Sequence, residues 1–487
     1  MVRTRQSARR TVTRITRRRR RVWPGLLLDS LVVGLLAFAL VAWHFDLGTR
    51  WGIAPDPRTE PAEVAAPAGL SLPEVRPAAA VAKPQTGSSA SPAKVRAAVD
   101  SLLADAKLGT HVRALVTDLD SGTTLLDHGT GDVTPASTNK LLTAAAALHS
   151  LGPSTRFETT VVRVPGTRRV VLVGGGDPFL ASTSGGKDSY PKRASVKALA
   201  HRTADALKAA GVTQVRLGYD DSLFSGPAFN PHWPSDYFPT VVPSITSLWV
   251  DEAMPKGQYT YVSDPSLNAA QIFATDLAGF GVRTIGTPVH GKAPSGAQQV
   301  AAVSSAPLGQ IVARLLLVSD NNAAEVVARH VGIKEGDGGS FTGAVKGVHT
   351  VLGQLGIGLD GAVLYDGSGL SREDRLRPET LMAVVRTISS AQHPELREAL
   401  TGLPVAGFSG SLLWRFDHDP PAARGRVYAK TGTLTGVHAL AGVATDLDGD
   451  VLGFVLVVDK VAAANEGYAQ AKLDAVAAAL GSCQCRS

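Results

Sequence analysis

Ser137-Thr138-Asn139-Lys140 introduces the alanine-rich run 140–148, and the reading of these four residues decides the fold. Thr134-Pro135-Ala136 leads into the serine, and the run behind it is strongly helical. Two later triplets, Ser319-Asp320-Asn321 and Lys430-Thr431-Gly432, follow in that order, completing the set S-x-x-K, S-D-N and K-T-G. Each pattern alone has an ordinary meaning. A serine before a helix caps free N–H groups, S-D-N makes an inter-helix turn with its own cap, and K-T-G is a strand ending at glycine. All three in order seldom arise by chance in 487 residues.

Together they describe acyl transfer by an activated serine. A hydroxyl is a poor nucleophile until a base takes its proton. Ser137 and Lys140 are three apart and share one helical face. Lys140 serves as base only when neutral. Its ordinary pKa is near 10.4, so the site must lower it by burial and by a second cation, for which Lys430 is the candidate. Ser319 is placed to pass the proton to a leaving amine, and Asn321 to orient the lysine and the substrate backbone. Lys430, Thr431, Gly432 and Thr433 form the other wall, where ammonium and hydroxyls bind a terminal carboxylate and Gly432 permits close approach. The backbone N–H groups of Ser137 and Thr433 are the expected oxyanion hole.

Outward from these motifs, residues 94–108 are apolar at helical spacing, and 112–126 reads as two strands about the turn Asp120-Ser121-Gly122. Residues 308–318 and 322–330 read as helices on either side of Ser319. Segments 427–430, 439–445 and 451–459, with a turn at Asp448-Gly449, read as antiparallel strands, and 465–480 as a closing helix. The expected fold is an α/β (α+β) sandwich, an antiparallel sheet flanked by helices. Ser319 follows Ser137 by 182 positions (319 − 137), which leaves room for a large β-rich insert over 154–300. The run Gly174–Asp177 there lacks the lysine and helix of a phosphate loop. The domain reading is 94–153 plus 301–482 for the catalytic part, 154–300 for the insert and 483–487 for a tail. The only cysteines, Cys483 and Cys485, are too few for a metal cage, and a disordered tail is expected there.

The net charge of +7 is a property of one end. Residues 1–22 hold ten arginines and no acid, leaving 39 basic against 42 acidic side chains elsewhere, a balance of −3. An apolar segment follows over 23–45, with Asp29 near its start and Trp23 and Trp43 at its edges. At about 1.5 Å per residue it is long enough to cross a bilayer. Arginines before it predict a single-pass anchor with the catalytic part outside. The rival reading is a cleaved signal peptide and secretion, for which no convincing small-x-small site follows Trp43. Beside such a segment an arginine run speaks for topology and anionic lipid rather than nucleic acid. Residues 46–93, rich in Pro and Ala, read as an extended linker.

The chain resembles the D-alanyl-D-alanine carboxypeptidase/endopeptidase family, the class C (type-4) penicillin-binding proteins, over about residues 95–480. Beyond the three motifs the resemblance rests on Gly175-Gly176-Asp177-Pro178, Ser319–Glu325 (SDNNAAE), Asp366–Arg372 (DGSGLSR) and Ala429–Gly442 (AKTGTLTGVHALAG). It implies a penicillin-binding, serine β-lactamase-like catalytic fold with accessory domains in the insert. The implied activity is removal of terminal D-Ala from peptidoglycan stem peptides, or cleavage of D-Ala–diaminopimelate cross-links, through an acyl-enzyme on Ser137 that β-lactams also form. It implies that Trp233, Asp236 and Arg372 contact the diaminopimelate side chain, an acid for the far ammonium and a guanidinium for the far carboxylate. The ordinary readings are core packing for Trp233 and a surface ion pair for Arg372.

No metal or cofactor is expected: the twelve histidines show no H-E-x-x-H or similar spacing. Two alternatives remain at this level. One is a β-lactamase or esterase on the same fold, which needs a further carboxylate for fast deacylation. The other is a non-catalytic cell-wall-binding protein, although neither the nucleophile nor the lysines are missing.

Overall fold

The computed structural model describes residues 89–185, 189–417 and 420–486, and Ser91-Pro92 starts the first helix among the described residues. Residues 1–22, 23–45 and 46–88, with the expected tail, anchor and greater part of the linker, lie outside the described residues. Among the described residues no helix is long and apolar enough to cross a membrane.

Helix α1 (Pro92–Leu103) buries Val95, Val99 and Leu103, one stripe at i, i+4, i+8. Such side chains contribute about 1.5–3 kcal/mol each when fully buried. Strands β1 (Val112–Asp118) and β2 (Thr124–His128) follow, and then α2 (Lys140–Leu151). The chain returns to the same sheet much later, with β9 (Val427–Leu434), β10 (Val437–Thr445) and β11 (Val451–Val458). These five strands form one antiparallel sheet in the order β2-β1-β11-β10-β9. Its side chains alternate between two cores, as the pleat requires. Ala114, Val116, Leu440, Phe454 and Leu456 face α1 and the closing helix α10 (Glu466–Gly481). Leu115, Ala439, Ala441, Val455 and Val457 face the helices on the other side. Those are α2, α5 (Leu308–Val318), α6 (Asn321–Lys334), α7 (Phe341–Gln354) and α8 (Pro378–Ser389), with short α9 (Arg397–Thr401) beyond. Helix α2 is buried from Lys140 to Leu148 because it runs through the middle of this layer, which explains its alanines.

Between α2 and α5 the chain builds a second sheet from β3 (Glu158–Arg163), β4 (Arg169–Val173), β5 (Gln214–Asp220), β6 (Arg283–Thr284), β7 (Val289–His290) and β8 (Gln298–Ser304). Its order is β6-β5-β4-β3-β8, with β7 also on β5. Helices α3 (Val196–Ala209) and α4 (Pro265–Gly279) cover one face of it. The segment is therefore mixed α and β rather than simply β-rich. The signal is the spacing of Val196, Leu199, Ala200, Thr203, Ala204 and Leu207, all buried in α3.

Two further expectations are corrected. Ordered chain is already present at Ala90, ahead of the expected linker end, because Ala90 pairs with Arg486 and the Ser91 N–H donates to the Cys485 carbonyl at 2.6 Å. The C-terminus is not a free tail. The Arg486 guanidinium meets Asp450 at 2.6 Å, its backbone N–H meets Asp448 at 2.9 Å, and Cys485 is buried and disulfide-bonded to Cys483.

Candidate active site

Ser137 lies in a one-turn 3-10 segment, Ala136–Asn139, that runs straight into α2, and it makes no side-chain cap. Its hydroxyl is instead the partner of the Lys140 Nζ, 2.9 Å away. The preceding Ala136 holds a left-handed φ of 46°, a conformation costing about 1–3 kcal/mol outside glycine, and is pinned by Leu434 and Val437. Two glycines let the walls close on this turn. A Cβ at Gly432 would come within 2.9 Å of the Pro135 carbonyl, and one at Gly369 would overlap the Ala136 carbonyl outright.

Lys140 is fully buried, and three acceptors surround its amine: Ser137 Oγ at 2.9 Å, Asn321 Oδ1 at 2.7 Å and the Ser368 carbonyl at 2.7 Å. The last two only accept. A neutral amine satisfies them with its two hydrogens, and its lone pair is left facing Ser137. Burial pushes Lys140 down to about 8, against the Asp366, Glu325 and Asp320 carboxylates, which favour its charged form.

Helix α5 ends at Ser319, in a left-handed conformation with φ 61°, and Asp320 caps α6 by accepting from the Ala323 N–H at 3.0 Å. The ordinary reading of this triplet is thus correct for Asp320, while Ser319 and Asn321 border the cleft. Ser319 Oγ accepts from Lys430 Nζ at 2.8 Å, and Lys430 also donates to the Thr431 carbonyl at 2.7 Å. Lys430 is fully buried and held well below the usual lysine range, first by burial, then by the charges of Lys140 and Arg415. Burial is the leading cause for both amines, and the repulsion between them is shared by the pair.

The cleft is a cavity of about 440 Å³. Ser137, Ser319 and Asn321 form one wall, and Thr431, Thr433, Leu434 and Thr435 the strand wall. Tyr237, Val241 and Leu370 form a third. Larger hollows exist elsewhere, one of about 590 Å³ by Arg168 and Arg216, but neither Ser137 nor the two lysines line them.

The side-chain contacts expected from the insert divide. Arg372 is exposed at the mouth, donating to the Thr435 carbonyl at 2.8 Å, with its charge acting on the Tyr237 hydroxyl. Asp236 is exposed beside Tyr237. Trp233 does not reach the cleft. It is buried among Phe229, Phe341 and Val326, and its indole N–H donates to Asp366 at 2.7 Å. Its assignment to substrate is corrected to the ordinary one, core packing.

Several contributors had not been picked out from the sequence. Tyr237 follows Asp236 directly on the one-turn segment Ser235–Tyr237 and becomes a wall of the cleft. Glu325 and Asp366 form a buried carboxylate pair beneath Lys140. Glu325 accepts from the Gly367 N–H at 3.1 Å and the Ser368 N–H at 2.8 Å, and Asp366 from the N–H groups of Ser368, Gly369 and Ser371. Burial, then repulsion by Asp366, raises the Glu325 carboxyl to about 8. The pair fixes the turn whose Ser368 carbonyl receives Lys140. The signal was a glutamate inside an apolar helix, flanked by alanines and valines in SDNNAAEVV.

The sequence profile of the D-Ala-D-Ala carboxypeptidase 3 (S13) family matches residues 95–260 and 251–480. Carboxypeptidase DacB of Mycolicibacterium smegmatis is 35% identical over 485 residues, 96% of this chain and 98% of that one. A D-alanyl-D-alanine carboxypeptidase of Actinomadura sp. is 29% identical over 433 residues, 74% of this chain and 80% of that one. Penicillin binding protein 4 of Haemophilus influenzae has the same fold, with a TM-score of 0.65, 20% identity and coverage of 78% of this chain and 98% of that one.

Proposed function

The chain belongs to the D-Ala-D-Ala carboxypeptidase 3 (S13) family, penicillin-binding serine peptidases that act on peptidoglycan, and from that premise we propose how its residues work. Ser137 attacks the carbonyl of the penultimate D-Ala of a stem peptide while Lys140, in its neutral form, takes the hydroxyl proton. The N–H groups of Ser137 and Thr433 hold the oxyanion. Ser319, bonded to Lys430, passes a proton to the departing D-Ala amine. Lys430, Thr431 and Thr433 bind the terminal carboxylate, whose negative charge raises the Lys430 pKa and restores its ammonium on binding. Water then releases the acyl group from Ser137, and a β-lactam acylates the same oxygen but leaves slowly. Asn321 orients Lys140 and the substrate backbone.

The observation that carries this reading is the Lys140 amine, fully buried and 2.9 Å from Ser137 Oγ with its other two partners both acceptors. Arg372 with Tyr237 at the mouth supports a stem peptide whose side chain ends in a carboxylate, as diaminopimelate does, and the same cleft accommodates a cross-linked dimer. The proposal keeps the enzyme outside the cytoplasm, tethered by residues 23–45, on the strength of the arginines before that apolar segment.

Ser137→Ala, assayed for D-Ala release from pentapeptide and for fluorescent penicillin labelling, tests the assignment. Release falls by at least about a thousandfold and labelling disappears. Labelling that persists on the variant would refute Ser137 as nucleophile.

A further inference from the structure

Helix α2 carries Lys140 at its first residue and His149 in its last turn, nine residues or roughly 13 Å away. At that far end His149 meets His393 and Glu395, from the short segment that precedes α9. Glu395 Oε1 lies 3.1 Å from His149 Nδ1 and 3.1 Å from His393 Nδ1, and one ligand atom from each of the three residues lies within 4.8 Å of the other two. In a tetrahedral zinc site with bonds of about 2.0–2.1 Å, neighbouring ligand atoms are about 3.3–3.4 Å apart. Two of the three edges here are already within a few tenths of an ångström of that figure.

Burial and chemistry agree with the distances. The side chains are 31%, 29% and 29% exposed for His149, Glu395 and His393, so a metal held by all three keeps a side open to water. His393 also lines a hollow of about 830 Å³, which gives an entry path. Two imidazoles and one carboxylate suit a borderline transition metal and not calcium or magnesium, which take oxygen ligands. His149 sits on a helix buried along most of its length, so one ligand is fixed before metal arrives. Sequence spacing hides the group, because His393 follows His149 by 244 positions (393 − 149).

We propose that His149, His393 and Glu395 bind one zinc-class divalent cation, which ties the far end of α2 to the segment before α9. Without metal the same atoms form a shared hydrogen bond, one carboxylate oxygen accepting from both rings.

The test is calorimetric titration of the untagged full chain with zinc chloride after chelator treatment, with cobalt absorption as the geometry readout. One equivalent binds, cobalt gives the intense visible bands of a four-coordinate site, and zinc raises the thermal midpoint. His149→Ala, His393→Ala and Glu395→Gln each weaken binding by more than about tenfold while circular dichroism stays unchanged. The double variant Cys483→Ser, Cys485→Ser binds zinc as the parent does. Absence of uptake at micromolar zinc, binding that survives in the combined His149→Ala, His393→Ala variant, or binding lost with the cysteines would each overturn the proposal.

Discussion

The floor of the cleft and its rim are made of opposite material. On the floor Lys140, Lys430 and Glu325 are fully buried, and each has its charge suppressed by that burial. At the rim Arg372 and Asp236 stand in solvent and Tyr237 is half-buried. The difference separates two tasks. Removing an amine from water turns it from a cation into a base, which chemistry requires. Leaving a guanidinium in water keeps it always charged and able to meet a carboxylate, which recognition requires.

That division sets the order of the expected effects. The largest comes from the floor: Lys140→Ala lowers the rate of acylation by penicillin by at least about a thousandfold, because among the described residues Lys140 alone is hydrogen-bonded to the Ser137 hydroxyl. Stopped-flow labelling measures it, and a loss below tenfold would shift the base to another residue. Next comes the support beneath. Glu325→Ala leaves the Gly367 N–H without its buried acceptor and the Ser368 N–H with Asp366 alone, and costs about 1–3 kcal/mol in denaturant unfolding. Glu325→Gln retains an acceptor oxygen and loses less than half of that, since the native carboxyl is neutral through most of the physiological range.

The smallest effects come from the rim, and they sharpen the contrast. Arg372→Ala raises KM several-fold for peptides whose side chain carries a carboxylate, with kcat nearly unchanged, and does little to a peptide bearing lysine there. Trp233→Phe removes one buried N–H bond to Asp366. It costs roughly 1–2 kcal/mol of stability and leaves KM alone. A KM change with that variant and none with Arg372→Ala would reverse the roles given to core and rim.

The same division explains what could be read from the chain. S-x-x-K is legible because three residues make nearly one helical turn, so spacing alone places Ser137 beside Lys140. The S-D-N and K-T-G residues are legible as chemistry. Their meeting with Lys140 depends on tertiary packing, with β9 at the sheet edge and β11 and β10 between it and β1, which no local pattern states. Rim residues come from irregular chain, where no period separates Trp233, turned into the core, from Tyr237, turned to the cleft. The ordered C-terminus was likewise invisible, because Arg486 is held by Asp450, 36 residues back, and by the chain at Ala90, hundreds of residues away.

The account stands on Lys140 being a base made by burial, and the pH dependence of Ser137 acylation by penicillin reads this directly. The second-order rate should rise about tenfold per pH unit on the acid side and level off above a midpoint of about 8, where Lys140 loses its proton. A rate that keeps climbing through pH 10, as an ordinary lysine near 10.4 would require, contradicts it.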